Sequence, residues 1–168
     1  MEINFGPRGT LEITDARIIW RNFEGRGDKF NAEGKRNFAV IIPNEEIKEA
    51  LVNDTNKYGV GWNVKIRPPR DEDDAPFMFL KVNVSFKGRK PNIYLVSGRN
   101  AIELDEDTIH RLDRVDISSV NMVIRPYDDE IRDQPFRAAY IQSLEVFQDC
   151  DMITKKYAEE EYPGEDDF

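Results

Sequence analysis

A chain of 168 residues with net charge −9 and 39 % apolar residues is the size of one domain with one core. One cysteine, Cys150, rules out an internal disulfide, and beside a single histidine, His110, it leaves too few soft ligands for a zinc site. No run reaches the length of a membrane span, and the opening MEINFGPRG lacks the basic start and apolar stretch of a secretory signal, so a cytoplasmic protein without a cofactor is expected.

In chain order, residues 10–20 (TLEITDARIIW) read as the first strand. A charged, glycine-rich linker follows at 21–35, with Phe23 and Phe30 set among Arg21, Arg26, Lys29 and Lys35. Glycines give it the reach of a mobile loop that closes over a bound strand, which makes Arg21, Phe23, Arg26, Lys29 and Phe30 candidate binding residues. Residues 36–42 form the next strand, stopped by Pro43. Asn44 can cap a short helix that carries Glu45 and Glu46 in its first turn and Ile47, Ala50 and Leu51 on one stripe. Strands are expected at 60–67, 77–87 and 92–97, separated by the acidic loop PPRDEDDAP (68–76) and a turn holding Gly88 and Pro91. A second short helix starts near Asp105 and runs to about 114, with Ile109 and Leu112 on one face. Strands 117–126 and 136–147 then flank an exposed hairpin tip at 127–135. Many short strands, two short helices and no βαβ rhythm predict a mainly β fold. The expectation is an OB-fold-like antiparallel β-barrel with extra strands beyond the basic five, with a β-sandwich as second choice.

Side chains alternate across a strand, so parity separates core from surface. Met78, Leu80, Val82, Val84 and Phe86 form a core row, opposed by Phe77, Phe79, Lys81, Asn83 and Ser85. Trp62, Val64 and Ile66 oppose Asn63, Lys65 and Arg67, and Val120, Met122 and Ile124 oppose Asn121, Val123 and Arg125, with Tyr127 following. Trp20 and Trp62 share parity with apolar neighbours and are assigned to the core. Three strands thus offer a second face of cations, amides and rings. Unpaired bases expose π faces that stack on such rings while Lys and Arg track phosphate, so this face suits single-stranded nucleic acid. The plain alternative is a solvated surface whose phenylalanines pack under a helix. Lys87, Arg89 and Lys90 in SFKGRKP add cations at a turn.

Charge is unevenly placed. Residues 149–168 hold eight acids and two lysines, whereas 1–148 hold 22 of the 24 basic residues. The chain therefore divides into a near-neutral binding domain, 1–148, and a disordered acidic C-terminal tail, 149–168. The tail ends in Glu165, Asp166, Asp167 and Phe168, one compact feature that an apolar pocket rimmed by Arg or Lys could take.

The ending Gly-Glu-Asp-Asp-Phe resembles the tails of bacterial and, more closely, phage single-stranded DNA-binding proteins. The stretches GPRGTLEITDARIIWRNFEG and NVKIRPPRDEDDAPFMFLKVNVSFKGRKPNIYL resemble a phage OB-fold family of that function, and RPYDDEIRDQPFRAAYIQSLEVFQ is similar to its closing hairpin. The resemblance implies a barrel that coats single-stranded DNA in replication or recombination. It also implies a tail that recruits polymerase, helicase or primase-type proteins, and it leaves room for a homodimer. The chain departs from bacterial members in lacking a long Gly/Gln/Pro linker before the tail, and the acids at 71–74 would repel a nearby strand.

Two other classes were weighed. An enzyme is disfavoured: the acidic runs 71–74 and 105–107 lack the spaced ligands and glycine of a calcium loop, and no phosphate-binding glycine loop or nucleophile elbow is present. A phage inhibitor that mimics DNA and blocks a host nuclease or defence factor would suit the net charge. Such a mimic needs acids spread over its folded surface, whereas here they concentrate in the tail.

Overall fold

The computed structural model describes residues 1–149. Among them ten strands form one sheet: β1 (Glu2–Phe5), β2 (Leu11–Ala16), β3 (Ile18–Asn22), β4 (Arg36–Ile42), β5 (Val64–Arg67), β6 (Phe77–Val84), β7 (Asn92–Ser97), β8 (Asn100–Leu104), β9 (Ile117–Ile131) and β10 (Gln134–Gln148). One α-helix, α1 (Glu45–Asn53), and 3-10 turns at Pro7–Gly9 and Ile109–Asp113 complete the elements among the described residues. The strand order is β1-β2-β9-β10-β6-β4-β3, with β5 attached to β6 and the β7–β8 hairpin attached to β10. Because β2 and β3 are one run of chain broken only at Arg17, the chain itself links β2 to the far end of the strand path, while no strand pairing among the described residues closes the sheet. The mainly β architecture with extra strands matches the expectation. The all-antiparallel pairing does not: β10 runs parallel to β6, meeting it at Tyr140↔Asn83, and parallel to β7 over Ser143–Phe147.

Alternation builds the core as parity predicts. Met78, Leu80, Val82 and Val84 from β6 are buried with Val120, Met122 and Ile124 from β9 and Ile141, Leu144 and Val146 from β10. Asn44 caps α1 by accepting from the Ile47 N–H at 2.9 Å, and Leu51 carries the buried face. Strand 60–67 is shorter than expected. Its first half packs under the end of α1, where Gly61 has no room for a Cβ against the Val52 carbonyl and the Trp62 N–H donates to the Leu51 carbonyl. Trp62 is core, but Ile66 is half exposed because β5 pairs on one side only. The helix expected at about 105–114 is a 3-10 turn that buries Ile109 and Leu112, three residues apart and therefore on one side of a three-residue turn. Thr108 and backbone N–H groups of the turn hydrogen-bond the Asp105 carboxylate, which holds it below its ordinary pKa. The β9–β10 hairpin closes on Arg132 and Asp133, both at positive φ, as a two-residue turn that matches strand twist.

One charge is buried in this frame. The Arg137 guanidinium on β10 lies 2.8 Å from Asp128 Oδ1, donates to the Asp54 carbonyl at 2.7 Å and stacks 4.8 Å over the Trp62 ring. Trp62 Nε1 donates to Asp54 Oδ2 and Asn56 Nδ2 to Asp128 Oδ1, so the 54–63 loop is tied to the hairpin by a satisfied polar network. Burial pushes the Asp128 carboxyl up, but hydrogen bonds from Arg137 and Asn56 and the Arg137 charge outweigh it and hold the group below its ordinary value.

Candidate nucleic-acid interface

The second face of β6 points outward. Phe77, Phe79, Lys81 and Asn83 alternate with the buried row, and each faces a partner across the ladder. On one side β5 sets Lys65 opposite Phe79 and Arg67 opposite Phe77. On the other, β4 sets Ile41 opposite Phe79, Ala39 opposite Lys81 and Asn37 opposite Asn83.

Trp20 completes this cluster, which corrects its assignment to the core. The β3–β4 ladder loses register between Ile19 and Asn22, and Trp20 adopts φ 54°, so its side chain leaves the row that simple alternation assigns it. Its indole is 45 % exposed and meets Phe79 edge-on at 5.0 Å and Phe77 at 5.6 Å, with the Arg67 guanidinium 5.0 Å from the ring. A left-handed backbone at a bulky residue costs about 1–3 kcal/mol and persists where neighbours over-determine it. Here the next residues are pinned: the Arg21 guanidinium donates to the Leu112 and Val115 carbonyls at 2.8 and 2.7 Å, and the Asp113 carboxylate accepts from the Phe23 and Glu24 N–H groups.

A second cluster lies on the hairpin. Tyr140 faces Arg125, and Ala138 faces Tyr127. Tyr127 lies 6.1 Å from both Tyr140 and Phe136, and Arg125 sits 5.4 Å over Tyr140. The Tyr127 hydroxyl donates to Asp129 Oδ2 at 3.0 Å, and that carboxylate pushes its pKa up. Asn37, Asn83 and Tyr140 lie in one register line, so the waist between the two clusters is made of amides.

The 21–35 linker is a structured loop. Gly34 donates to the Gly25 carbonyl across its base, and Gly25 and Gly34 take the positive φ values that the reversal needs. Asn31 donates to the carbonyls of Arg26 and Lys35, and Asp28 accepts from the Phe30 N–H. At the tip Phe30 is 93 % exposed, flanked by exposed Arg26 and Lys29. Phe30→Ala is therefore expected to leave the melting temperature unchanged and to weaken single-strand binding by about 1–3 kcal/mol, read by fluorescence titration. A lower melting temperature with unchanged affinity would show the ring to be structural.

Two residues expected at the interface belong elsewhere. Phe23 is fully buried and stacks on Phe38 at 5.2 Å, so it cannot meet a base. Arg21 is half-buried, and its Nη1 is committed to the two carbonyls named above. The structure brings Lys65, Arg67, Phe77, Phe79 and Lys81 together on one half of the face and Arg125 and Tyr127 on the other. Lys87 lines a groove with Asn83, Tyr140 and Lys35, while Arg89 stays in the exposed turn beyond it. Trp20, Phe136, Tyr140 and Asn37 were missed. Asn37 is out of step with the buried Phe38, Val40 and Ile42, so parity places it outward. Phe136 and Tyr140 instead share parity with the buried Leu144 and Val146, and they face outward only because the β9–β10 register shifts between Ile141 and Ser143. Glu165, Asp166, Asp167 and Phe168 lie outside the described residues. Among the described residues no group of three or more His, Cys, Asp or Glu is placed to hold a metal, and no helix is long and apolar enough to cross a membrane.

Rings and cations interleaved along one face of a sheet are the surface that proteins of the single-strand-binding class use. The chain belongs to the family described as "Putative phage ssDNA-binding domain", whose model matches residues 3–167. Its fold is similar to that of the single-stranded DNA-binding protein from bacteriophage Enc34. The C-terminally truncated form of that protein aligns with a TM-score of 0.56 at 16 % identity, covering 86 % of this chain and 88 % of that one. The Enc34 protein in complex with ssDNA aligns with a TM-score of 0.54 at 16 % identity, covering 89 % and 92 %. No curated protein matches the chain.

Proposed function

We propose that this protein binds single-stranded DNA along the outward face of β5, β6, β4, β10 and β9. Bases stack on the Trp20–Phe77–Phe79 and Tyr127–Phe136–Tyr140 clusters, and phosphates are tracked by Lys65, Arg67, Lys81, Lys87 and Arg125. The Phe30 loop closes over the strand from one side. One observation carries the reading: two ring clusters with cations packed against them, Arg67 on Trp20 and Arg125 on Tyr140, lie on one continuous sheet face. Rings half exposed beside guanidinium groups suit bases with free π faces, which a duplex hides. The strand order and the parallel β6–β10 pair support an OB-type barrel as the scaffold. On the same reading the protein works in replication or recombination, and the end of the chain, Glu165 to Phe168, is offered to polymerase, helicase or primase-type proteins.

The experiment is a titration with single-stranded DNA, duplex DNA and RNA oligomers at several salt concentrations. Single strands are expected to bind most tightly, with a log–log salt slope of about −0.7 per phosphate neutralised. A salt-independent isotherm, or tighter duplex binding, would overturn the assignment.

A further inference from the structure

We propose that the amide waist of this face reads nucleobases, favouring those that carry an exocyclic amino group, with Asn83 as the specificity-determining residue. This rests on the single-strand-binding reading above and adds base preference to it.

Asn83 is half-buried on β6, opposite Asn37 on β4 and in register with Tyr140 on β10. Its amide has one usable orientation. Nδ2 donates to the Ala139 carbonyl at 3.2 Å, and a carbonyl cannot partner an amide oxygen, so Oδ1 faces the other way as an acceptor. Asn37 is fixed through a relay: its Nδ2 donates to Asn31 Oδ1 at 3.0 Å, while the Nδ2 of Asn31 is held by the carbonyls of Arg26, Ala32 and Lys35. Among the described residues no donor is bonded to either Oδ1 of the pair, and no buried side-chain oxygen there lacks a partner. Both oxygens are therefore open to solvent, aimed by their own donor bonds.

Their surroundings fit a nucleotide. Asn83 lines a groove with Tyr140, Lys35, Lys87, Glu33 and Glu106. A base laid against Tyr140 brings its edge to Asn83 Oδ1, and Lys35 and Lys87 stand where flanking phosphates pass. Arg36 and Ser85 line the same groove, but Arg36 has its Nε on the Phe23 carbonyl and its Nη1 3.8 Å from Glu106, so Asn83 Oδ1 is the oriented acceptor beside Tyr140. The amino groups of cytosine N4 and adenine N6 donate to such an acceptor. Thymine presents carbonyl oxygens on either side of a single N–H, so its approach sets acceptor against acceptor.

The test compares oligo-dC with oligo-dT of equal length on the full chain, at mildly alkaline pH so that cytosine stays unprotonated. Both are pyrimidines, so stacking area is closely matched. Oligo-dC is expected to bind roughly two- to tenfold tighter, the range one neutral hydrogen bond supplies. Asn83→Ala should remove that preference, read as the ratio of oligo-dC to oligo-dT affinity on the same variant. An oligomer of N4,N4-dimethyl-deoxycytidine, which has no amino hydrogen, should bind the unaltered protein like oligo-dT, a readout that does not depend on the variant folding. Equal affinity for oligo-dC and oligo-dT, or a preference that survives Asn83→Ala, would overturn the base reading alone. Absence of binding to every oligomer would overturn the interface itself.

Discussion

Arg137→Met is expected to destabilise the fold by about 3 kcal/mol at neutral pH, the lower end of what removing one partner of a buried ion pair costs. The lower end applies because Asp128, whose side chain is 24 % exposed, keeps some water and its bond from Asn56. The Arg137 side chain is 5 % exposed and joins three segments: Asp128 on β9, the Asp54 carbonyl after α1 and the Trp62 ring. Its loss takes the guanidinium donors from the Asp128 carboxylate and the Asp54 carbonyl. The deficit should depend on pH in a definite sense. In the unaltered protein the folded Asp128 pKa is depressed, so its contribution is present above the unfolded carboxylate pKa and is lost as pH falls through the folded value. In Arg137→Met, burial acts without the opposing cation, the folded pKa moves up, and protonation removes the unpaired charge. Denaturant unfolding across the acid range should show the gap between the two proteins narrowing as pH drops. A gap that stays constant would mean that the guanidinium stabilises through packing on Trp62 rather than through its charge. Asp128→Asn combined with Arg137→Met should recover part of the loss, since a pair replaced by neutral groups leaves no orphaned ion.

The parts of this molecule that were legible in the sequence obey a local rule. Strand β6 shows strict alternation over Phe77–Val84, and its two faces fall where parity puts them. Asn44 followed by Glu45 and Glu46 marks the start of α1 because capping involves only neighbouring residues. What failed depends on distant partners or broken periodicity. The left-handed residue at Trp20 breaks the alternation, and no composition signal marks it. The Arg21 carbonyl partners lie some ninety residues away, so a cation in a glycine-rich loop reads as free when it is a clamp. Phe23 looks like Phe30 in sequence, but only Phe23 lies where the loop still hugs β4 and can reach Phe38. The parallel pairing of β10 with β6 and β7 was equally hidden, because alternation reports which face is buried and says nothing of strand direction. Strand β8 escaped detection because its residues are mostly exposed, and an edge strand without a buried row carries no apolar alternation.

Removing one ring from each cluster, Phe79→Ala with Tyr140→Ala, is expected to weaken single-strand binding by roughly 2–6 kcal/mol, the sum of two stacked bases. Phe79 lies 5.0 Å from Trp20 and 5.8 Å from Phe77 in the first cluster, so its loss removes both a platform and an edge contact on the indole. Tyr140 stands at one end of the second cluster, 6.1 Å from Tyr127 and 5.4 Å from the Arg125 guanidinium. The two rings share no contact given for either cluster, so their losses should add. Both are half-buried and stand outside the buried core, so the melting temperature should move far less than the affinity. No cation is removed, so the salt slope should stay while the whole isotherm shifts. A slope that flattens would mean that the rings act by positioning Lys65, Arg67 or Arg125. The Phe79→Leu variant isolates the π face: it keeps an apolar side chain on the same row but offers no ring. If Phe79→Leu binds as tightly as the unaltered protein, the ring serves only as apolar cover and stacking is not the source of affinity.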